Sequence, residues 1–173
     1  GVFRGTGTAV LPEPGFSPTA IAQNLMVTKK PVTAAFLAAL SQEVQPFLRR
    51  VRATRLPGAV SAWEFTRGPQ QGVAVVSGMG EDAAAHSAAW VFERYQPQGL
   101  ISLGFGGAVT PELPPGAVVL GEAYWRYDPD TQTLKELPAP PWPNWGKAWV
   151  ERLRAEGLPV FRGSMVTTRG IIH

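Results

Sequence analysis

VVSGMGEDAAAHSAAWVFERYQPQGLISLGFGGAV, residues 75–109, carries a strand, a glycine turn, a helix and a second strand in one run. The apolar stretch GVAVVSG (72–78) is bounded by glycine and rich in Val, as a buried strand is. EDAAAHSAAWVFERY (81–95) predicts a helix: acidic residues open it, alanines fill it, and Pro97 follows its end. GLISLG (99–104) is apolar again and runs into Gly104-Phe105-Gly106-Gly107. Three glycines in four positions either relieve a tight turn or let something approach the backbone closely.

The same alternation extends outward on both sides. Upstream, VTAAFLA (32–38) reads as a buried strand. SQEVQPFLRRVRA (41–53) reads as a helix with Val44, Phe47, Leu48 and Val51 on one side. Ser41 is the expected N-cap, and Pro46 must then lie near the start of that helix. AVSAWEFTRG (59–68) pairs with residues 72–78 through a turn at Gly68–Gly72. Downstream, GAVVLGEAYWRYD (116–128) is a strand, residues 146–156 a helix, and 159–167 a final strand. The resulting expectation is an α/β fold with a central mixed β-sheet flanked by helices. The Pro/Trp-rich stretch PAPPWPNW (138–145) is expected to pack back onto the domain, with a polyproline ligand as the alternative.

Composition narrows the function classes. The chain has 173 residues, 45% apolar and 17% charged, which suits one globular domain. Net charge is only +3, and the one basic cluster, Arg49, Arg50, Arg52 and Arg55, fits one side of a helix better than a nucleic-acid face. There is no cysteine, so disulfides, thiol nucleophiles and thiolate metal sites are excluded. With only His86 and His173, no metal site is expected, and no cofactor. No apolar run reaches the roughly 20 residues that span a bilayer, and no signal-peptide pattern opens the chain, so the expected location is the cytoplasm, off the membrane. Residues 1–31 read as a Pro/Gly/Thr-rich extension, disordered or foreign to the natural protein, with Met26 as a candidate natural start. The domain is expected over 32–173.

In an open α/β sheet, ligands bind beyond the carboxyl ends of the strands. Three features fall at such ends: Leu40-Ser41-Gln42-Glu43, Ser77-Gly78-Met79-Gly80 and Gly104-Phe105-Gly106-Gly107. If their strands are parallel neighbours, all three meet at one edge. Each also has a plainer reading. Gly78 and Gly80 form either an anion-binding turn or merely a tight strand-to-helix turn, and Glu81 and Asp82 would repel a phosphate there. Gly104 to Gly107 could be a bulge. Glu43 could be a solvated acid favoured by the helix dipole.

From Val32 to Ile172 the ordered words resemble the nucleoside phosphorylase and nucleosidase superfamily, with the nearest likeness to methylthioadenosine/S-adenosylhomocysteine nucleosidases. AALSQEV (38–44) is similar to the family's first strand end, whose glutamate holds the attacking water, and Glu43 falls on that position. Residues 75–109 resemble its Gly-x-Gly turn, Ala-rich helix and Gly-Ser-Ala-Gly-Gly bend. LPPGAVVLGEAYWRYDPD (113–130) resembles the strand that follows. GSMVTTRGII (163–172) resembles the strand leading to the purine. The resemblance implies a phosphorylase/hydrolase-like three-layer sandwich that cleaves the N-glycosidic bond of a purine nucleoside. It implies Glu43 as the catalytic base, and Phe105, Gly106, Gly107, Ile171 and Ile172 as substrate-binding residues. A homo-oligomer is implied as well, with a small-molecule nucleoside as the ligand.

Two departures shape this expectation. Phe105 stands where relatives place a Ser, and the loop around Glu43 has no Arg. A phenyl ring donates no hydrogen bond to phosphate, so both departures favour water over phosphate as the nucleophile. A divergent hopanoid-associated phosphorylase-like branch shares this looser pattern. The family's ribose-gripping Met-Glu word and its purine-protonating Asp fall past His173, and Arg169 replaces an acidic residue in the last matched word. The chain therefore reads as the first two-thirds of a domain. A truncated, non-catalytic member that binds a nucleoside or a partner is the alternative function. An interaction module built on the Pro/Trp loop is a third reading.

Overall fold

Alternation along the strands decides which residues enter the core. In AAFLA, Ala35 and Leu37 point to one face of the sheet, and Phe36 and Ala38 to the other. In GVAVV, Val73 and Val75 join the first face and Ala74 the second. The computed structural model describes residues 29–139 and 146–168. The chain divides into two compact units, Gly1–Gly104 and Phe105–His173.

The described part of the first unit contains β1 (Lys30–Val32), β2 (Ala34–Ala38), α1 (Ser41–Arg50), β3 (Thr54–Arg55), β4 (Ser61–Arg67) and β5 (Gln70–Val76). After these come α2 (Glu81–Arg94), β6 (Tyr95–Pro97) and β7 (Leu100–Leu103). Five strands form a mixed sheet in the order β3-β4-β5-β2-β7. Strand β2 lies parallel to both β5 and β7, while β4 runs antiparallel to β5. Strands β1 and β6 make a separate parallel pair.

Helices cover both faces of the sheet. On one face Ala35, Leu37, Ala62, Val73 and Val75 pack with Val91 of α2 and with Tyr95. On the other, Ala38 and Ala74 pack with Val44 and Leu48 of α1. Phe36, Phe47 and Phe65 close that side, with ring centroids 5.0–5.9 Å apart. Each fully buried Val contributes about 1.5–3 kcal/mol over its exposed state, so these two layers hold the sheet in place.

The second unit holds β8 (Val118–Asp128), β9 (Thr133–Leu137), α3 (Gly146–Ala155) and β10 (Val160–Thr168). Its strands form a three-stranded sheet in the order β10-β8-β9, with β10 parallel and β9 antiparallel to β8. A register shift between Gly163 and Ser164 bends β10, and an Arg162–Glu122 ion pair ties it to β8. Val150 and Val160 are buried.

The α/β class, with mixed sheets flanked by helices, is the one expected, and local details differ. The strand expected over 32–38 breaks at Thr33, whose N–H donates to Gln71 O at 2.8 Å. There the chain changes partner, from Val32 opposite Pro97 to Ala34 opposite Gly72. Leu40, not Ser41, is the N-cap of α1. Its backbone is extended, and the Glu43 carboxylate reaches back to its N–H at 2.7 Å. Pro46 falls inside α1, beyond the first turn, so the helix gives up one backbone bond there. The expected turn at Gly68–Gly72 tightens, with Arg67 opposite Gln70. Residues 1–28, most of the Pro/Trp stretch, and Arg169, Ile171 and Ile172 lie outside the described residues.

Candidate functional site

Parallel pairing of β2 with β5 and β7 brings three strand ends to one edge of the first unit. Ala38 stands opposite Val76 on one side and Leu103 on the other. The ladder continues briefly beyond the strands. Ser77 N–H donates to Ala38 O at 2.9 Å, and Gly78 N–H to Ala39 O at 3.1 Å. Ser77 Oγ lies 2.8 Å from Gly78 O and 3.2 Å from Ala38 O, so its hydroxyl pins the same corner. Beyond this edge β2 leads into α1, β5 into α2, and β7 into Gly104.

Glu43 sits in the first turn of α1, where the helix dipole favours a carboxylate. Its side chain is half-buried. Oε2 accepts the Leu40 N–H, a charge-assisted bond that fixes the rotamer. Oε1 lies against Gly104: a methyl group there would stand 2.7 Å from Oε1 and 3.2 Å from Cδ. Gly104 is not in the left-handed region, so close approach, not backbone conformation, is what its missing side chain allows. The strand-end glycine and the helix-start carboxylate therefore meet directly.

The other expected site residues behave differently. Gly78 and Gly80 have φ of 85° and 105°, a conformation side chains avoid, and a methyl on either would meet nothing within 4 Å. Their role in the structure is to shape the turn into α2, whose first turn carries Glu81 and Asp82. In the second unit, Phe105 is 77% exposed, and methyl groups on Gly106 or Gly107 would meet only open space. The structure thus joins Glu43 to the ends of β2 and β7, with the end of β5 paired beside β2. The contact with Gly104 and the hydroxyl of Ser77 were not singled out from sequence. The triple glycine was the available signal for the first, but its partner is set by tertiary placement. Leu40 and Met79, both exposed, add apolar surface to the loops at this edge.

A second polar cluster lies back from that edge. Glu64 accepts from Lys30 Nζ at 2.7 Å and from Tyr95 OH at 2.8 Å. The Lys30 hydrogen bond, chiefly, holds the Glu64 carboxyl below its ordinary range, with Tyr95 helping and burial opposing. Burial, and then the Glu64 carboxylate, push the Tyr95 phenol upward. This cluster fastens the β1–β6 pair to β4. An open groove of about 520 Å³ beside it is lined by Lys30, Arg52, Thr54, Glu64 and Gln71, among others, and is distinct from the Glu43 edge. Among the described residues no group of three or more His, Cys, Asp or Glu is placed to hold a metal ion. No described helix is long and apolar enough to cross a membrane.

Comparison with known proteins supplies the wider frame. Residues 33–173 match the model of the phosphorylase superfamily. No curated protein matches the chain. Among solved structures, the chain is similar to the 5′-methylthioadenosine/S-adenosylhomocysteine nucleosidase of Neisseria meningitidis bound to methylthio-immucillin-A. That match has 25% identity and a TM-score of 0.68, and covers 82% of this chain and 66% of that one. The corresponding enzyme of Campylobacter jejuni matches at 20% identity and a TM-score of 0.67, with the same coverage. A futalosine hydrolase of Helicobacter pylori matches at 12% identity and a TM-score of 0.67, covering 84% of this chain and 69% of that one. The chain thus spans 66% of the length of the first two relatives.

Proposed function

We propose, from the premise that the chain belongs to the phosphorylase superfamily, that it serves to cleave the N-glycosidic bond of a purine nucleoside with water as the nucleophile. The observation that carries this reading is the placement of Glu43. It is a half-buried carboxylate at the carboxyl edge of three parallel strands, with one oxygen tied to Leu40 N–H and the other against Gly104. A carboxylate held this way can orient a water and take its proton. The water oxygen then bonds to the anomeric carbon, and the bonding pair of the C–N bond leaves with the base, which takes up a proton. The products are a free purine and a sugar with an anomeric hydroxyl.

Phe105, Gly106 and Gly107 follow Gly104 directly in the chain and are assigned to nucleoside contact, as are Ile171 and Ile172. Gly78 and Gly80 are assigned to shaping the turn, because the acidic start of α2 disfavours an anion. Phe105 offers no hydrogen bond to phosphate, and the solved relatives are named nucleosidases and a hydrolase. Both points support water. The reading takes residues 32–173 as one phosphorylase-like domain, acting in the cytoplasm as a homo-oligomer. Strand β7 supports the last point, since it is paired on one side only among the described strands. The alternative reading is a non-catalytic family member that binds a nucleoside or a partner.

The test is release of free base from methylthioadenosine, S-adenosylhomocysteine, futalosine, adenosine and inosine, with and without phosphate. Release that ignores phosphate and disappears in Glu43→Ala supports the reading. Binding of a nucleoside without release supports the alternative. Release that requires phosphate overturns the choice of nucleophile.

A further inference from the structure

We infer that Gly104 is a positioning residue for Glu43, whose missing side chain sets where the carboxylate can stand. The two oxygens of Glu43 are held by different means. Oε2 is drawn back by the Leu40 N–H at 2.7 Å, within the residue's own helix start. Oε1 stands in the space left open at the end of β7, where a Cβ on Gly104 would come within 2.7 Å. Ordinary contact begins near 3.4 Å, so any side chain at position 104 must displace the carboxylate by about 0.7 Å or break its bond to Leu40. The neighbouring glycines lack this constraint: methyl groups on Gly106 and Gly107 meet nothing within 4 Å. In this bend only Gly104 is required by contact with Glu43.

Strand pairing makes the arrangement rigid. Leu103 is held opposite Ala38, and Glu43 follows from the same β2 strand through the first turn of α1. The ladder fixes the backbone on both sides, so a side chain added at position 104 is met by movement of the Glu43 side chain. The glycine thus leaves room for the carboxylate, and the Leu40 amide is its tether.

The catalytic side of this inference rests on the proposed function, but its geometry does not, and two readouts separate them. The first is a stability cycle that needs no activity. Gly104→Ala should lower Tm slightly when Glu43 is present, since the overlap falls on the end of a flexible side chain. In the Glu43→Ala background the same change should leave Tm unaltered or raise it, because Ala restricts the unfolded chain more than Gly does. Equal losses in both backgrounds would overturn the inference and assign Gly104 to the backbone alone.

The second readout is kinetic. Gly104→Ala should reduce kcat for base release roughly 10- to 100-fold with KM little changed, as a sub-ångström misplacement does. Adding Glu43→Asp, which withdraws the carboxylate by about one C–C bond, should cost less in the Gly104→Ala protein than in the native one. Additive losses would overturn the inference. If no substrate is cleaved while the stability cycle shows coupling, the proposed function fails and the positioning role stands.

Discussion

Replacing Tyr95 by Phe removes one hydroxyl from the Lys30–Glu64–Tyr95 cluster and leaves the ring in place. Tyr95 is only 5% exposed, and its hydroxyl donates to Glu64 Oε1 at 2.8 Å. A hydrogen bond to a charged acceptor contributes about 1.5–3 kcal/mol, and a neutral one about 0.5–1.5 kcal/mol. The Glu64 side chain is 30% exposed and keeps its bond to Lys30, so water replaces part of the loss. The expected cost at neutral pH is therefore about 1–2 kcal/mol, or roughly 2–8 °C in Tm for a chain of this size. The dependence on pH is the sharper part. The Tyr95 phenol is held above its ordinary value of 10.0, so its contribution is complete below pH 10 and is lost as pH rises beyond it. The Glu64 carboxyl is held below its ordinary value of 4.5, so its contribution is complete above that pH and is lost as pH falls through the lowered folded value. Thermal unfolding of both proteins from pH 3 to pH 11 should show a gap that is flat through neutrality and narrows above pH 10. It should narrow again at the acid end. A gap that stays constant above pH 10, or no gap at neutrality, would refute the assignment of this hydrogen bond.

Gly72→Ala should destabilise by about 1–3 kcal/mol, read as a lowered denaturant midpoint, because the new methyl would overlap the Phe65 ring. That ring already packs against both Phe36 and Phe47, and moving it disturbs those contacts. Glu43→Gln should keep the bond to Leu40 N–H through its side-chain carbonyl, and so keep Tm, while lowering kcat by roughly 10²- to 10⁴-fold. Light scattering at micromolar concentration should report a dimer or larger assembly, and a monomer would contradict the oligomer reading.

Local signals were strongest where pattern and packing agree. The helix Glu81–Arg94 lies one residue from its expected end, because acidic start, alanine filling and following proline all point the same way. Strands β2, β5 and β7 were legible as apolar words, since all three take part in the buried layers. Strand β9 was not expected. Thr133, Leu134, Lys135 and Glu136 are exposed, and their strand state comes from pairing with β8, not from burial. The break at Thr33 was equally invisible, because it arises from a change of partner between β6 and β5. In the site, the meeting of three strand ends followed from the βαβ pattern once the strands were taken as parallel. Glu43 itself was singled out by resemblance, since an acid in a first helical turn is ordinary. What lies against Gly104 depends on where α1 sits relative to β7, and no local word carries that information.

The central claim is that Glu43 delivers water to a glycosidic carbon. The direct measurement is base release in ¹⁸O-labelled water with phosphate present, followed by mass spectrometry of the sugar product. The account predicts one ¹⁸O atom at the anomeric position and no sugar phosphate, with both the label and base release absent in Glu43→Ala. Sugar 1-phosphate as the product, or labelled sugar formed at an undiminished rate by Glu43→Ala, would contradict it.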